Sequence, residues 1–408
     1  MVSRHPESVR PVALVALATA VAAVALNLRP GITSVGPVLD AVTGHFGAGA
    51  GAAGVVTAAP VIAFAMTSLL APVVLARISL RAGLFVSLAV TGVSLAVRPW
   101  GDLVVFVVAT FAAAIGVGLL AVLLPVVVRV GEHTRVLVAT FTTALQVGSA
   151  AGFVAVVPLS HVLGGWRWAL AVWAVVAVVG IFALWRSPLG GGDVQPVEAR
   201  RTVNPLAVLR RTNSVVLALF FGLQAMVAFV VIGWLPSVLE DAGVSAGAAG
   251  GYLGLLTCTA VPISFLVPPL VTASAHPSRW LAGFSLCTVA GVLGFLIAPA
   301  AAPLVWSVVL GTGLSVFSLA LTVVTVRAGA IARPIELSSA VQGIGYLIAA
   351  AGPYAVGLIR RFTDGWGVPL GVLLAIAVLQ AVVGFATGNP EKATAAPNSM
   401  THEQTERR

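Results

Sequence analysis

Charge is what this chain has least of. Only 9% of its 408 residues are Asp, Glu, Lys or Arg, and the 13 acidic side chains, Glu7 to Glu406, all fall in expected loops, tails or helix ends. No carboxylate is therefore left inside an apolar segment to relay protons or to neutralise a cationic cargo, which disfavours a proton-coupled exporter of cationic drugs. The six histidines (His5, His45, His133, His161, His276, His402) also fall in loops or tails, without metal-ligand spacing, so no metal site is expected. No nucleophile stands beside a base and no glycine-rich phosphate loop is present. Neither an enzyme nor an ATP-driven pump is expected, and no cofactor is implied. The two cysteines, Cys258 and Cys287, lie in apolar segments and read as reduced core thiols without a role.

What the chain has in abundance is apolar sequence. Hydrophobic residues make up 59% of it, in runs of spanning length from end to end. Lipid offers the backbone no hydrogen-bond partner, and runs of about 20 residues span a bilayer only as helices. The fold class expected is an all-α integral membrane protein with twelve transmembrane helices. They are placed near 11–38, 50–73, 82–98, 102–128, 135–160, 167–186, 213–238, 246–271, 279–298, 303–326, 337–359 and 367–388, and are numbered helix 1 to helix 12 below. Helix 1 is too long for a signal-peptide core and is read as retained.

The net charge of +9 does not point to nucleic acid, because the basic residues are scattered at helix ends rather than clustered among exposed aromatics. With the N-terminus placed in the cytoplasm, 17 of the 22 Lys and Arg residues fall on that side. Four fall outside (Arg98, Arg167, Arg360, Arg361), and Arg29 alone lies within a span. This is the positive-inside pattern of an inner membrane protein with both termini cytoplasmic. Eight of the nine tryptophans fall near expected helix ends, as interfacial aromatics do; Trp173 is the exception.

The chain also repeats itself. Ala52-Ala53-Gly54 returns as Ala248-Ala249-Gly250, Gly116-Val117-Gly118-Leu119 as Gly311-Thr312-Gly313-Leu314, and Thr143-Ala144-Leu145-Gln146 as Ser339-Ala340-Val341-Gln342. An offset of six helices preserves orientation and implies two pseudo-symmetric six-helix bundles related by an axis along the membrane normal. The expected boundaries are 1–186 for the N-terminal bundle, 187–212 for a Pro- and Gly-rich cytoplasmic loop, 213–388 for the C-terminal bundle, and 389–408 for a disordered tail.

Arg29 is the first candidate site residue. A guanidinium cannot be deprotonated in a protein, and at the centre of a span it costs roughly 2.5–3.5 kcal/mol, so it implies partners or a water-filled cavity and suggests an anionic cargo. Pro30 removes a backbone donor and should kink or unwind helix 1 beside it. The competing reading is that Arg29 caps the freed carbonyls or snorkels to the interface. Asn27 is the second candidate, with an interhelical hydrogen bond as its alternative. Thr142, Gln146 and Ser149 share one face of helix 5, and Ser339, Gln342 and Tyr346 share one face of helix 11, with Gln342 repeating Gln146. The two faces should meet across a central cavity. Asp40, the nearest acid to Arg29, is about three helical turns away, where it could serve a gate or cap a helix.

Certain motifs carry a resemblance: Asn27-Leu28-Arg29-Pro30 with Thr33-Ser34-Val35-Gly36-Pro37, Phe221-Gly222-Leu223-Gln224, Trp234-Leu235-Pro236, and Val341-Gln342-Gly343-Ile344-Gly345-Tyr346. In these the chain resembles the cyanate permease and 2-nitroimidazole transporter group of the major facilitator superfamily. It departs at Ala121, where many relatives have Asn, and at Phe229, often Tyr; the loop between helices 2 and 3 lacks the superfamily Asp. The resemblance adds Gln224 and Phe229 to the expected substrate-binding set of Arg29, Asn27, Thr142, Gln146, Gln342 and Tyr346. It implies a secondary active transporter moving a small anionic or compact polar solute across a bacterial inner membrane by alternating access. It is expected to act as a monomer, with protons one candidate coupling ion and no nucleic-acid partner. The alternative is an exporter of neutral or weakly acidic drug-like compounds. A non-transporting sensor or enzyme would need a signalling domain or catalytic cluster that is not visible.

Overall fold

The computed structural model describes residues 11–128, 134–187, 212–274, 277–316 and 334–387. The expected linker lies outside these residues except at its two ends, and the expected tail lies outside them altogether. Among the described residues, eleven helices are long and apolar enough to cross a membrane, and helix 10 adds a shorter segment, Pro303–Leu314. Helix 1 is interrupted: Pro11–Ala25, Pro30–Thr33 and Leu39–His45 are joined by 3-10 turns. The others are Ala50–Arg77, Leu80–Val97, Leu103–Val128, Thr134–Val162, Trp166–Ala171 with Trp173–Arg186, Thr212–Asp241, Ala246–Ala273, Pro277–Ile297, Pro334–Thr363 and Gly367–Thr387.

The bundle is apolar outside as well as inside. Val93, Val104, Phe182, Val382 and Phe385 are all more than half exposed, the arrangement that lipid favours and water does not. Four threonine hydroxyls buried among the helices are satisfied locally: Thr67, Thr91, Thr110 and Thr257 each donate to the carbonyl four residues back, at 2.7–3.0 Å. Helix ends carry ordinary punctuation. Asp102 caps helix 4 by accepting from the Val105 N–H at 2.8 Å, and Gly243, at φ +88°, turns the chain out of helix 7. Trp100 and Trp168 stack edge to face at 4.7 Å on the end of the molecule that carries the connection between helices 1 and 2, here called the 1–2 rim.

Each half is tied by glycines where helices touch. In the N-terminal half Gly116 of helix 4 lies against Thr91 of helix 3, and in the C-terminal half Gly313 of helix 10 lies against Thr288 of helix 9. Both pairs are related by 197 residues, so the contacts shift the pairing of these glycines by two from the 195 read off Gly116 and Gly311. Polar ties repeat likewise. Asn27 Nδ2 in helix 1 donates to Val176 O of helix 6 at 3.2 Å, and Gln224 in helix 7 is joined to Gln380 of helix 12.

The halves meet through backbone. Near the 1–2 rim a Cβ on Gly36 would stand 2.5 Å from Ile232 O, one on Gly250 2.5 Å from Phe153 O, and one on Gly357 2.5 Å from Ala50 O. Helices 1 and 7, 5 and 8, and 2 and 11 are thus pressed together, and the largest buried apolar cluster, including Leu39, Phe153, Trp234 and Leu253, runs across both halves there. The 1–2 rim is shut. Because no side chain fits in these seams, Gly36→Leu should pry this rim open. In a background lacking the native cysteines, labelling of Ser237→Cys by an impermeant thiol reagent should rise by about tenfold with Gly36→Leu, as when a packed contact is forfeited. Gly313→Leu, inside one half, should lower the melting temperature without that gain.

Candidate substrate site

The site is built on the interruption of helix 1. Pro30 has no N–H, and Arg29 adopts φ −130°, ψ −45°, so the helical ladder stops between them. The released groups are taken up within the bundle. Arg29 O accepts from the N–H groups of Ile32 and Thr33 at 2.9 and 3.0 Å, and Thr33 Oγ1 lies 3.2 Å from both Arg29 O and Ser149 O, on helix 5. Gly148 and Gly152 of helix 5 leave room for Pro30: a Cβ on either would meet it at 3.3 or 2.9 Å. The expected unwinding beside Arg29 is present, and none of these contacts uses the Arg29 side chain.

That leaves the Arg29 guanidinium uncommitted. It is half-buried, it makes no hydrogen bond or ion pair among the described residues, and it lies within electrostatic reach of the Tyr346 hydroxyl. Tyr346 belongs to an aromatic group drawn from both halves. Its ring centre is 5.7 Å from Phe64 of helix 2, 5.2 Å from Phe221 and 6.1 Å from Phe229 of helix 7, and Phe64 and Phe229 are 5.9 Å apart. Gly222 and Gly345 let helices 7 and 11 approach until a Cβ on Gly222 would be 3.1 Å from Gly345 O, which explains the glycines flanking Phe221 and Tyr346. Of the expected site residues, then, Arg29, Phe229 and Tyr346 come together, with Gln342 half-buried one turn from Tyr346.

The remaining four are placed differently. Asn27, 3% exposed, spends its amide N–H groups on Ala23 O and Val176 O, so it fastens helix 1 to helix 6. Gln224, fully buried, donates to Leu314 O at 3.0 Å and accepts from Gln380, which also bonds Ser285 Oγ at 3.1 Å; this is a polar knot among helices 7, 9, 10 and 12, inside the C-terminal half. Gln146 reaches Thr257 O of helix 8 at 3.4 Å, across the joint between the halves, and Thr142 bonds back to Val138 O and Ala139 O of its own helix. The shared face of helix 5 is therefore divided: Gln146 reaches helix 8, and Thr142 turns back on its own helix.

Two features were not anticipated. Phe64 has no sequence signal that separates it from a core aromatic. Arg98, expected in an outer loop, is fully buried and donates from Nη1 to Gly31 O at 2.7 Å, so Arg29 is not the sole enclosed cation. It is Arg98, not Arg29, that captures a carbonyl of the interruption. At the 1–2 rim, Asp40 accepts from the Ser237 hydroxyl across the halves, close to Glu240 and Asp241. Asp241 in turn binds Arg360 at 3.0 Å and Trp366 Nε1 at 2.8 Å. Between the rings and this rim, Ile32, Val35, Thr57, Phe229 and Ile232 line a cavity of about 20 Å³, room for about one water.

Comparison with known proteins identifies the family and the fold. The sequence profile of the Major Facilitator Superfamily matches residues 15–353. The chain is 29% identical to the 2-nitroimidazole transporter of Escherichia coli (strain K12) over 373 residues, 90% of this chain and 94% of that protein. It is 26% identical to the cyanate transport protein CynX of the same organism over 347 residues, 84% of this chain and 89% of that one. An uncharacterized transporter, YycB, of Bacillus subtilis (strain 168) is 28% identical over 91% of this chain and 93% of its own. Among solved structures, the nucleoside transporter NupG superposes with a TM-score of 0.71 at 11% identity, covering 92% of this chain and 99% of that one. The partially occluded inward-open xylose transporter XylE from E. coli also gives 0.71, at 15% identity, covering 93% and 100%.

The polar knot makes a prediction that separates packing from binding. Gln380→Leu strands the Gln224 amide and should destabilise the C-terminal half by about 1–2 kcal/mol, whereas Gln224→Leu combined with Gln380→Leu should cost less than the single change. Melting of the purified variants reports this, and transport affinity should be the same in both.

Proposed function

The chain belongs to the major facilitator superfamily and is a multi-pass secondary transporter of small solutes, and we propose that its cargo is a small anion or a compact polar molecule gripped at Arg29. The observation that carries this is the uncommitted guanidinium at the interruption of helix 1, facing no acid among the described residues and lying near Tyr346. A half-buried cation without an acceptor is costly, and a cargo bearing paired oxygens or nitrogens supplies the missing acceptors bidentately. Phe64, Phe229 and Tyr346 supply apolar faces for a planar body, and Gln342 a further polar contact. Cyanate, a small anion, and 2-nitroimidazole, a flat ring with a nitro group, are the cargoes named for two relatives; the nitro group presents such a paired edge to a guanidinium, and linear cyanate a charged terminal atom.

The distribution of Lys and Arg supports placing both termini in the cytoplasm of a bacterial cell. The shut 1–2 rim then faces outward and the described state is closed to the outside. Alternating access follows from rocking the two halves about the rings and Arg29. Protons are the candidate coupling ion, with Asp40 and Glu240, at the joint between the halves, as groups able to carry them.

Binding to detergent-solubilised protein tests the reading. With cyanate and 2-nitroimidazole as probes, Arg29→Gln should weaken binding by about 10- to 100-fold, the loss of a charged hydrogen-bonded partner, while melting stays near that of the parent protein. Arg29→Lys should fall between, because an ammonium keeps the charge but not the fork. Unchanged affinity in Arg29→Gln refutes the anion site. Uptake compared in right-side-out and inverted vesicles gives the direction; accumulation driven only outward would favour the exporter.

A further inference from the structure

Arg98 stands at the end of helix 3, in the 3-10 turn Arg98–Trp100, with no solvent exposure. It forms no ion pair among the described residues. Its guanidinium carbon lies 5.5 Å from the centre of the Phe106 ring, Nη1 donates to Gly31 O, and Nε and Nη2 meet no acceptor among the described residues. A permanently charged group enclosed this way lowers stability, and an apolar side chain of similar size would pack there at less cost. Its one polar contact is specific. Gly31 follows Pro30 and lies two residues after Arg29. The N–H that would serve Gly31 O in a regular helix, that of Val35, bonds Ile32 O instead. Pro30–Thr33 is a four-residue helix, too short to hold its own geometry, and its trailing carbonyls carry partial negative charge.

We propose that Arg98 is a positioning residue for the cargo site, clamping the interrupted segment of helix 1 through the Gly31 carbonyl so that Arg29 is held beside Tyr346. The inference rests on the reading of Arg29 as the cargo-binding group. Arg98 spans from helix 3 to helix 1 within one half, so the clamp travels with that half as it rocks. A stable fold does not require it; a fixed Arg29 does.

The test uses Arg98→Met and Arg98→Lys in the full chain. Melting of Arg98→Met should stay near that of the parent, because removing an enclosed charge with two unmet N–H groups offsets the loss of the donor to Gly31 O. In a Cys258→Ser, Cys287→Ser background carrying Arg29→Cys, the rate of thiol labelling at position 29 should change by about fivefold with Arg98→Met and stay within about twofold with Arg98→Lys, which keeps one donor for Gly31. With Arg29 intact, KM for 2-nitroimidazole should rise by about tenfold in Arg98→Met with Vmax little altered, and Lys should recover most of it. A fold lost or markedly weakened by Met assigns Arg98 to stability alone and overturns the proposal. So does a labelling rate that Met leaves unchanged. Should Arg29→Gln bind cargo normally while the labelling rate still shifts with Met, the cargo reading fails and the clamp stands.

Discussion

A proline in the middle of a membrane helix leaves carbonyls that no water can reach, and the bundle must find donors for them from its own side chains and backbone. Everything at the centre of this protein follows from how that demand is met at Pro30. Two 3-10 turns and a four-residue helix recapture part of the ladder, Thr33 spends its hydroxyl on Arg29 O and Ser149 O, and Arg98 reaches in from helix 3 to Gly31 O. Helix 5 contributes two glycines, so that the widened segment has somewhere to lie. None of these contacts uses the guanidinium of Arg29, which is left for something else.

The division of polar residues follows a second rule. Amides that tie the first helix of a half to the last, Asn27 to helix 6 and Gln224 to helix 12, make each half a body that moves as one. Residues at the joint make lighter contacts: a single amide bond from Gln146 to Thr257 O, rings touching at Phe64 and Tyr346, and the Asp40–Ser237 hydrogen bond at the rim. Strong polar networks inside bodies and weak ones between them suit a machine that must reorient without unfolding.

Hydropathy made the spans legible, because lipid leaves only one solution for a long apolar run, and Arg29-Pro30 announced the interruption by itself. The end of helix 1 was less visible: Asp40, Thr43 and Gly44 look like a loop, yet the helix runs on to His45 over a buried stripe of Leu39 and Val42. Arg98 was hidden by its neighbours, since Pro99 and Trp100 resemble an interfacial turn and a cation there fits the charge pattern equally well outside the bundle. Periodicity placed Thr142, Gln146 and Ser149 on one face but could not say that Gln146 reaches helix 8 while Thr142 turns back on its own helix. Asn27 and Gln224 were ambiguous because an amide inside a membrane is equally at home in a cavity or between helices. Their equivalence at 197 residues, shared with Thr91–Gly116 and Thr288–Gly313, emerges only from the contacts.

The glycine seams at the 1–2 rim carry a mechanical consequence. Backbone meets backbone there at Gly36, Gly250 and Gly357, with no long side chains to stretch as the surfaces separate. Dispersion falls off so steeply that a gap of about 0.5–1 Å forfeits a quarter to a half of the attraction. Such a closure behaves like a snap fastener: it grips fully or scarcely at all, and a half-parted rim has little to hold it there.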